Sequence, residues 1–247
     1  MKAMLSKGTL LHLLQWSGLF LSLFFSAFFI AWHLLSSASF FYSSLYDFVG
    51  VGENIRIYGP KNIVRPHFEL TNKQEQERLF SKIVTAIHSN GEGLNQLNYH
   101  TPDGRELGPF LTDAEIVHLQ DVAHLVNGVN LLGGCTLVSA LVLLTLLWGQ
   151  SSRPPPLFHY NIIGLIGLLL LIGIPLVLGS EYVFNQLHIW IFPEDHQWYF
   201  LYQESLMSMF MKAPDLFAYI AIEILLAGIT LYAGMLLVLK KSFLLRT

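Results

Sequence analysis

The sequence predicts an all-α membrane protein, with four transmembrane helices carrying a small α+β extracytoplasmic cap, on three observations. Of its 247 residues 53% are hydrophobic and only 13% charged, with a mean hydropathy of +0.50; that is about half the charge of an ordinary soluble domain. Four apolar runs each come close to the roughly 20 residues that a helix needs to cross a hydrocarbon core. Between the first two runs lies a long polar stretch, the only part large enough to fold outside the lipid.

The first span covers residues 9–34. Lys2 and Lys7 precede it as the charges of a signal peptide would, but the apolar run is too long for a signal core and no A-x-A-like site follows, so an uncleaved helix is expected. His12 and Gln15 are expected to face other helices. Residues 35–125 form the cap leading into the second span. The cap opens with Phe40, Phe41, Tyr42 and Tyr46, rings expected at the membrane–water boundary. Asn54–Tyr58 and Ile63–Leu70 are short and partly alternating, which suggests strands or extended segments. Asn72 with Glu75 three residues on reads as a capping box for an amphipathic helix carrying Leu79, Phe80, Ile83, Val84 and Ile87, stopped at Asn90-Gly91. Tyr99–Arg105 reads as a hairpin turning on Asp103-Gly104.

Thr112 and Glu115 form a second capping box, opening a helix that carries Ile116, His118, Leu119 and Val122 straight into the second span, 126–148. That span is entered through Asn127 and Asn130, and its Gly133-Gly134 pair would let another helix approach closely. Residues 149–159 are a short turn, because three consecutive prolines cannot continue a helix. The third span is 160–180. Residues 181–214 are too polar to cross a bilayer, yet carry Trp190, Phe192, Trp198, Tyr199, Phe200, Tyr202 and Phe210, and are expected to lie along the outer interface. The fourth span is 215–239 and the tail 240–247. Residues 1–8, 149–159 and 240–247 contain Lys2, Lys7, Arg153, Lys240, Lys241 and Arg246 and no acidic residue. Positive charge stays inside, so both termini are expected in the cytoplasm and both long loops outside.

His118 sits on a helix about to enter the membrane and His188 shortly after the third span, so both are expected at one outer interface. Neutral imidazole is available near physiological pH and burial favours that form, which suits a general base acting on a substrate that brings its own nucleophile. The plainer reading makes either ring, and His196 with them, an ordinary interfacial residue among the ten histidines. Glu223, about two turns into the fourth span, is costly there, by ~2.5–3.5 kcal/mol on the scale for an aspartate at a helix centre; function and helix–helix adhesion explain it equally well. Glu115, His118, Asp121 and His124 recur every three residues and could ligate a metal, but a solvated helix face explains them at least as well, and no metal is expected. The single cysteine, Cys135, allows no intrachain disulfide and is expected to be buried mid-span, where a thiolate is disfavoured. No G-x-S-x-G elbow, Walker loop or G-x-G-x-x-G is present.

Leu111–Val122, running into a membrane helix, resembles the motif before the second helix of the bacterial lipoprotein intramolecular transacylases. Phe184–Phe192 resembles their second histidine motif, after the third helix, and the layout of spans and loops is similar along most of the chain. Leu187, Ile191 and Met211 depart from that pattern, standing where two aromatic residues and a proline are expected. The resemblance implies an enzyme of the cytoplasmic membrane with its site on the extracytoplasmic face, where the cap meets the membrane. It implies transfer of the sn-2 acyl chain of a diacylglyceryl-modified lipoprotein to the α-amine of the same N-terminal cysteine. His118 and His188 are then the catalytic histidines, either of which could be the base, with His188 favoured here, and the partners are the diacylated lipoprotein and membrane lipid, with no nucleic acid, cofactor or metal. Asp121, Asn127, Trp198 and Glu223 are candidates to orient or enclose the substrate, from this sequence alone. A non-enzymatic membrane factor whose cap binds or escorts a partner is the alternative.

Overall fold

In a computed structural model, residues 7–150, 155, 164, 166–168, 170, 173, 174 and 177–244 are described. The expected third span, 160–180, and the expected turn, 149–159, lie largely outside them. The described chain is mostly helical, with one two-stranded sheet. Among the described residues three helices are long and apolar enough to cross a membrane: α1 (Lys7–Ser37), α5 (Asp113–Gly149) and α8 (Asp215–Leu244). Between them come α2 (Tyr42–Val49), α3 (Val51–Tyr58), α4 (Lys73–His88), β1 (Asn98–His100) and β2 (Glu106–Pro109), then α6 (Ser180–Ile191) and α7 (Leu206–Phe210). The chain divides into two units.

One unit comprises Met1–Leu34, Asn130–Ile174 and Ile224–Thr247. Trp16, Leu19, Phe20 and Leu23 recur at helical spacing on α1 and pack with Ala140 and Leu147 of α5 and Leu239 and Phe243 of α8. Trp16 is fully buried, its ring 5.3 Å from that of Phe243. Lipid tails give helices no hydrophobic reason to associate, so close packing of small residues must hold them. A β-carbon at Gly133 would collide with the ring of Phe29, and one at Gly228 with Phe28, while Ser26 Oγ donates to Thr136 Oγ1 at 3.3 Å. Only the first member of the glycine pair is used in this way; Gly134 meets open space. Cys135, expected to be buried, is exposed. An apolar run does not say which face of its helix is covered, and α5 turns this residue outward.

The other unit comprises Leu35–Val129 and Pro175–Glu223. Its core is a cluster of aromatic rings. Tyr42 stacks on Phe80 with centroids 4.1 Å apart, and Phe210 meets Phe110 at 5.3 Å, Tyr42 at 5.9 Å and Phe68 at 6.2 Å. Phe40, Tyr42 and Phe210, expected at the lipid boundary, are therefore buried. Ser39, Phe40 and Phe41 all have φ between 48° and 50°, a left-handed turn costing L-residues about 1–2 kcal/mol each. It stops α1 and directs Phe40 and Tyr42 inward. Phe41, Trp190 and Tyr199 stay exposed as expected of boundary rings.

Asn54–Tyr58 is helical, not extended, since Val51, Asn54 and Ile55 are buried at the i, i+3, i+4 period and Asn54 Nδ2 donates to Met209 O at 2.7 Å. Ile63–Leu70 is a turn followed by a 3₁₀ segment: Asn62 Oδ1 accepts from the backbone N–H of Val64 and Arg65, and Phe68 goes to the core. Asn72 caps α4 through Glu75 N–H, but the Glu75 carboxylate does not return the bond. It takes two bonds from Arg78 and one from the N–H of His100, joining α4 to β1. The expected hairpin forms, with Gly104 at φ +86° in its turn and β1 antiparallel to β2.

Candidate functional site

The start of α5 is capped in both directions, Glu115 N–H bonding Thr112 Oγ1 and Thr112 N–H bonding Glu115 Oε2 at 2.6 Å. Glu115 is fully buried, and its other oxygen accepts from Ser205 Oγ at 2.5 Å. Ser205 is itself the cap of α7, receiving the N–H of Ser208. A buried carboxylate thus fixes the first turn of α5 to the strand-like chain entering α7. His118 lies three residues on, on the same side of the helix and only 8% exposed.

His188 occupies the last turn of α6, where its Nδ1 lies 2.7 Å from Phe184 O. A carbonyl oxygen can only accept, so Nδ1 carries the proton and Nε2 presents its lone pair. Burial holds this imidazole below its ordinary pKa, opposed by the bond to Phe184 O. The ring is therefore neutral at pH 7, with a free basic nitrogen.

The two imidazoles come together, their centroids 5.8 Å apart and their planes inclined at 31°. Aromatic rings enclose them. Phe192 lies 4.9 Å from His118 and 5.2 Å from His188, Phe200 6.0 Å from His118, Trp198 5.0 Å and Phe184 4.0 Å from His188. Phe192, Trp198 and Phe200 all come from the irregular loop that follows α6. His118 Nδ1 is buried with no hydrogen-bond partner among the described residues.

Of the four substrate-pocket candidates, Trp198 is brought to the pair and Asp121 lies one turn beyond His118, bonded through Oδ2 to His196 Nδ1 at 2.6 Å. That bond raises the pKa of His196. Asn127 is engaged elsewhere, donating to Asn90 Oδ1 at 2.8 Å. Among the described residues Glu223 Oε2 is buried without a hydrogen-bond partner, and no ring contact, hydrogen bond or ion pair ties it to either histidine. The Glu115, His118, Asp121, His124 series does not converge, since Glu115 turns to Ser205, Asp121 to His196 and His124 to Gln120. Among the described residues no three His, Cys, Asp or Glu are grouped to hold a metal ion. Sequence reasoning missed Ser205 and the enclosing role of Phe184. The S-x-x-S spacing of Ser205 and Ser208 and the i, i+4 spacing of Phe184 and His188 were the available signals.

Residues 62–213 match the family described as lipoprotein intramolecular transacylase Lit. No curated protein matches the chain. Among solved structures, the membrane-integral lipoprotein intramolecular transacylase Lit from Bacillus cereus superposes with a TM-score of 0.65 at 18% identity, covering 94% of this chain and 97% of that one. Its histidine-to-arginine and histidine-to-alanine variants superpose with a TM-score of 0.64 at the same identity, with 93% and 95% of their chains covered. At that identity the likeness speaks to the fold.

Proposed function

This chain belongs to the lipoprotein intramolecular transacylase family, and from that premise we propose that it moves the sn-2 acyl chain of a diacylglyceryl-modified lipoprotein to the α-amine of its N-terminal cysteine. The observation that carries the reading is the meeting of His118 and His188 in one aromatic-walled site. His188 Nε2 takes a proton from the α-amine as its nitrogen attacks the sn-2 carbonyl. The amine, with an ordinary pKa of about 7.7–8.0, is easily supplied neutral. His118, whose Nδ1 has no other partner, faces the oxygen on which charge develops. As the C–N bond forms and the ester C–O bond breaks, one proton passes from the amine to the departing glyceryl oxygen through the imidazoles. Such general acid–base assistance contributes about 10²–10⁴-fold. Donor and acceptor are on one molecule, so holding them at attack distance draws on effective molarities up to about 10⁵–10⁸ M; the rings of Phe192, Trp198 and Phe200 supply that confinement.

The same reading places four spans in the membrane, both termini in the cytoplasm and the site on the outer face, following the positive charges of the short segments. Mass spectrometry of lipoprotein N-termini, from cells with and without the gene, tests it. The acyl chain should be found on the amine only when the gene is present. His118→Ala and His188→Ala, at matched protein levels, should each lower conversion by about 10²-fold or more; full conversion by both variants removes them from the mechanism.

A further inference from the structure

We propose that Asp121 and His196 are a positioning pair that holds the aromatic loop 192–200 over the two imidazoles. The inference rests on the transacylase reading for its consequence and on geometry for its substance. Among the described residues, the bond from His196 Nδ1 to Asp121 Oδ2, 2.6 Å long, is the single hydrogen bond joining residues 193–199 to the rest of the chain. The other bonds of that stretch are internal: His196 N–H to Pro193 O at 3.1 Å and Gln197 Nε2 to Tyr199 O at 3.1 Å. Its far end is fastened separately, by Ser208 Oγ to Phe200 O.

Both ends of this bond are placed by the site. Asp121 follows His118 by three residues on α5, so the two side chains share a helix face. His196 precedes Trp198 by two residues, and the Trp198 ring lies 5.0 Å from His188. The bond therefore runs from the helix that bears one imidazole to the loop that covers the other. Without it, a stretch lacking regular structure would be held near the histidines by ring contacts alone, and Trp198 would no longer keep a fixed place beside His188, while Phe192 and Phe200 retain their own backbone bonds at its two ends. His196 acts through the loop and touches no reacting atom; Asp121 also sets its charge near the His118 imidazole, so His196→Leu is the variant that isolates the loop.

The test uses the full-length protein in lipid nanodiscs, with wild type, Asp121→Asn, His196→Leu and the double variant. Backbone hydrogen exchange is followed over residues 193–200, and turnover of a synthetic dipalmitoylglyceryl-cysteinyl peptide is resolved into kcat and KM. Each single variant should exchange about ten-fold faster in that stretch and lose kcat on the order of 10²-fold, as for a misplaced reacting group. The double variant should be no worse than either single one, because one bond is lost only once. Unchanged exchange in His196→Leu overturns the proposal, as does faster exchange with wild-type kcat, or strictly additive losses in the double variant. A wild-type protein that leaves the peptide unconverted overturns the transacylase reading instead, while the exchange measurement still decides whether the pair holds the loop.

Discussion

Replacing Glu115 by alanine removes acceptors for three donors at once: Thr112 N–H, Thr112 Oγ1 and Ser205 Oγ, at 2.6, 2.9 and 2.5 Å. Hydrogen bonds to a charged group are worth about 1.5–3 kcal/mol each, a gross loss of about 4.5–9 kcal/mol. Against this, the variant no longer keeps a carboxylate out of water, a penalty of several kcal/mol, and water can reach the half-buried Thr112. Ser205 cannot be compensated so easily, being 1% exposed. The net destabilisation should be about 2–4 kcal/mol, or roughly 4–16 °C in melting temperature for a chain of this size. Ser205→Ala alone should cost less, about 1–2 kcal/mol, through the lost cap of α7 and one lost bond to Glu115. Thermal unfolding in a fixed detergent, followed by circular dichroism, measures both, and the double variant should fall short of their sum. A Glu115→Ala protein melting within a degree of wild type, or a strictly additive pair, would show that the buried carboxylate does not fasten α5 to the chain entering α7.

The pH dependence of turnover should reflect the depressed pKa of His188: a base that stays neutral into mild acid keeps kcat level down to and below pH ~6.5, the ordinary imidazole value, and a pH–rate profile with its acid limb above that value would contradict the assignment. The same residue makes acid destabilising, because as pH falls below ~6.5 the unfolded chain binds a proton that the folded ring resists until its own lower pKa is reached. His196 works in the opposite sense. Its raised value means that its contribution is complete below pH ~6.5 and is lost as pH rises through the folded pKa; nuclear magnetic resonance titration of ring-labelled histidines reads both directions. Gly133→Leu should force α1 away from α5 at Phe29 and lower the melting temperature, overpacking of this kind costing about 1–3 kcal/mol; Gly134→Leu, in open space, should be tolerated far better, and equal effects would refute the close-approach account.

Long elements were legible because their signals are long. Some 20 apolar residues admit few readings, and the Thr112–Glu115 cap located the start of α5. The approach of His118 to His188 was legible through topology, since each lies near the outer end of an expected span. Faces and short segments were less so. Five residues of partly alternating character at Asn54–Tyr58 fit a strand as well as a helix, and burial against the Met209 backbone decided the matter. Phe210 looked like a boundary residue because composition does not distinguish a ring meeting lipid from a ring in the core of a cap. Cys135 was misplaced for a similar reason: hydropathy reports that a helix is surrounded by apolar matter, not whether that matter is protein. Asp121 was singled out, but its partner was not, since 75 residues separate it from His196 and neither spacing nor motif connects them.

The carbonyl that orients His188 belongs to the preceding turn of its own helix and carries no net charge. Many imidazole bases rely on a carboxylate in that position, which steadies the cation they form. A dipole offers weaker comfort to an imidazolium in so apolar a setting, so the protonated ring is a poor resting place and is driven to give its proton up. In the mechanism proposed above, that proton goes to the bond being broken, and the lack of an anion bonded to His188 among the described residues favours the two halves of the exchange proceeding together.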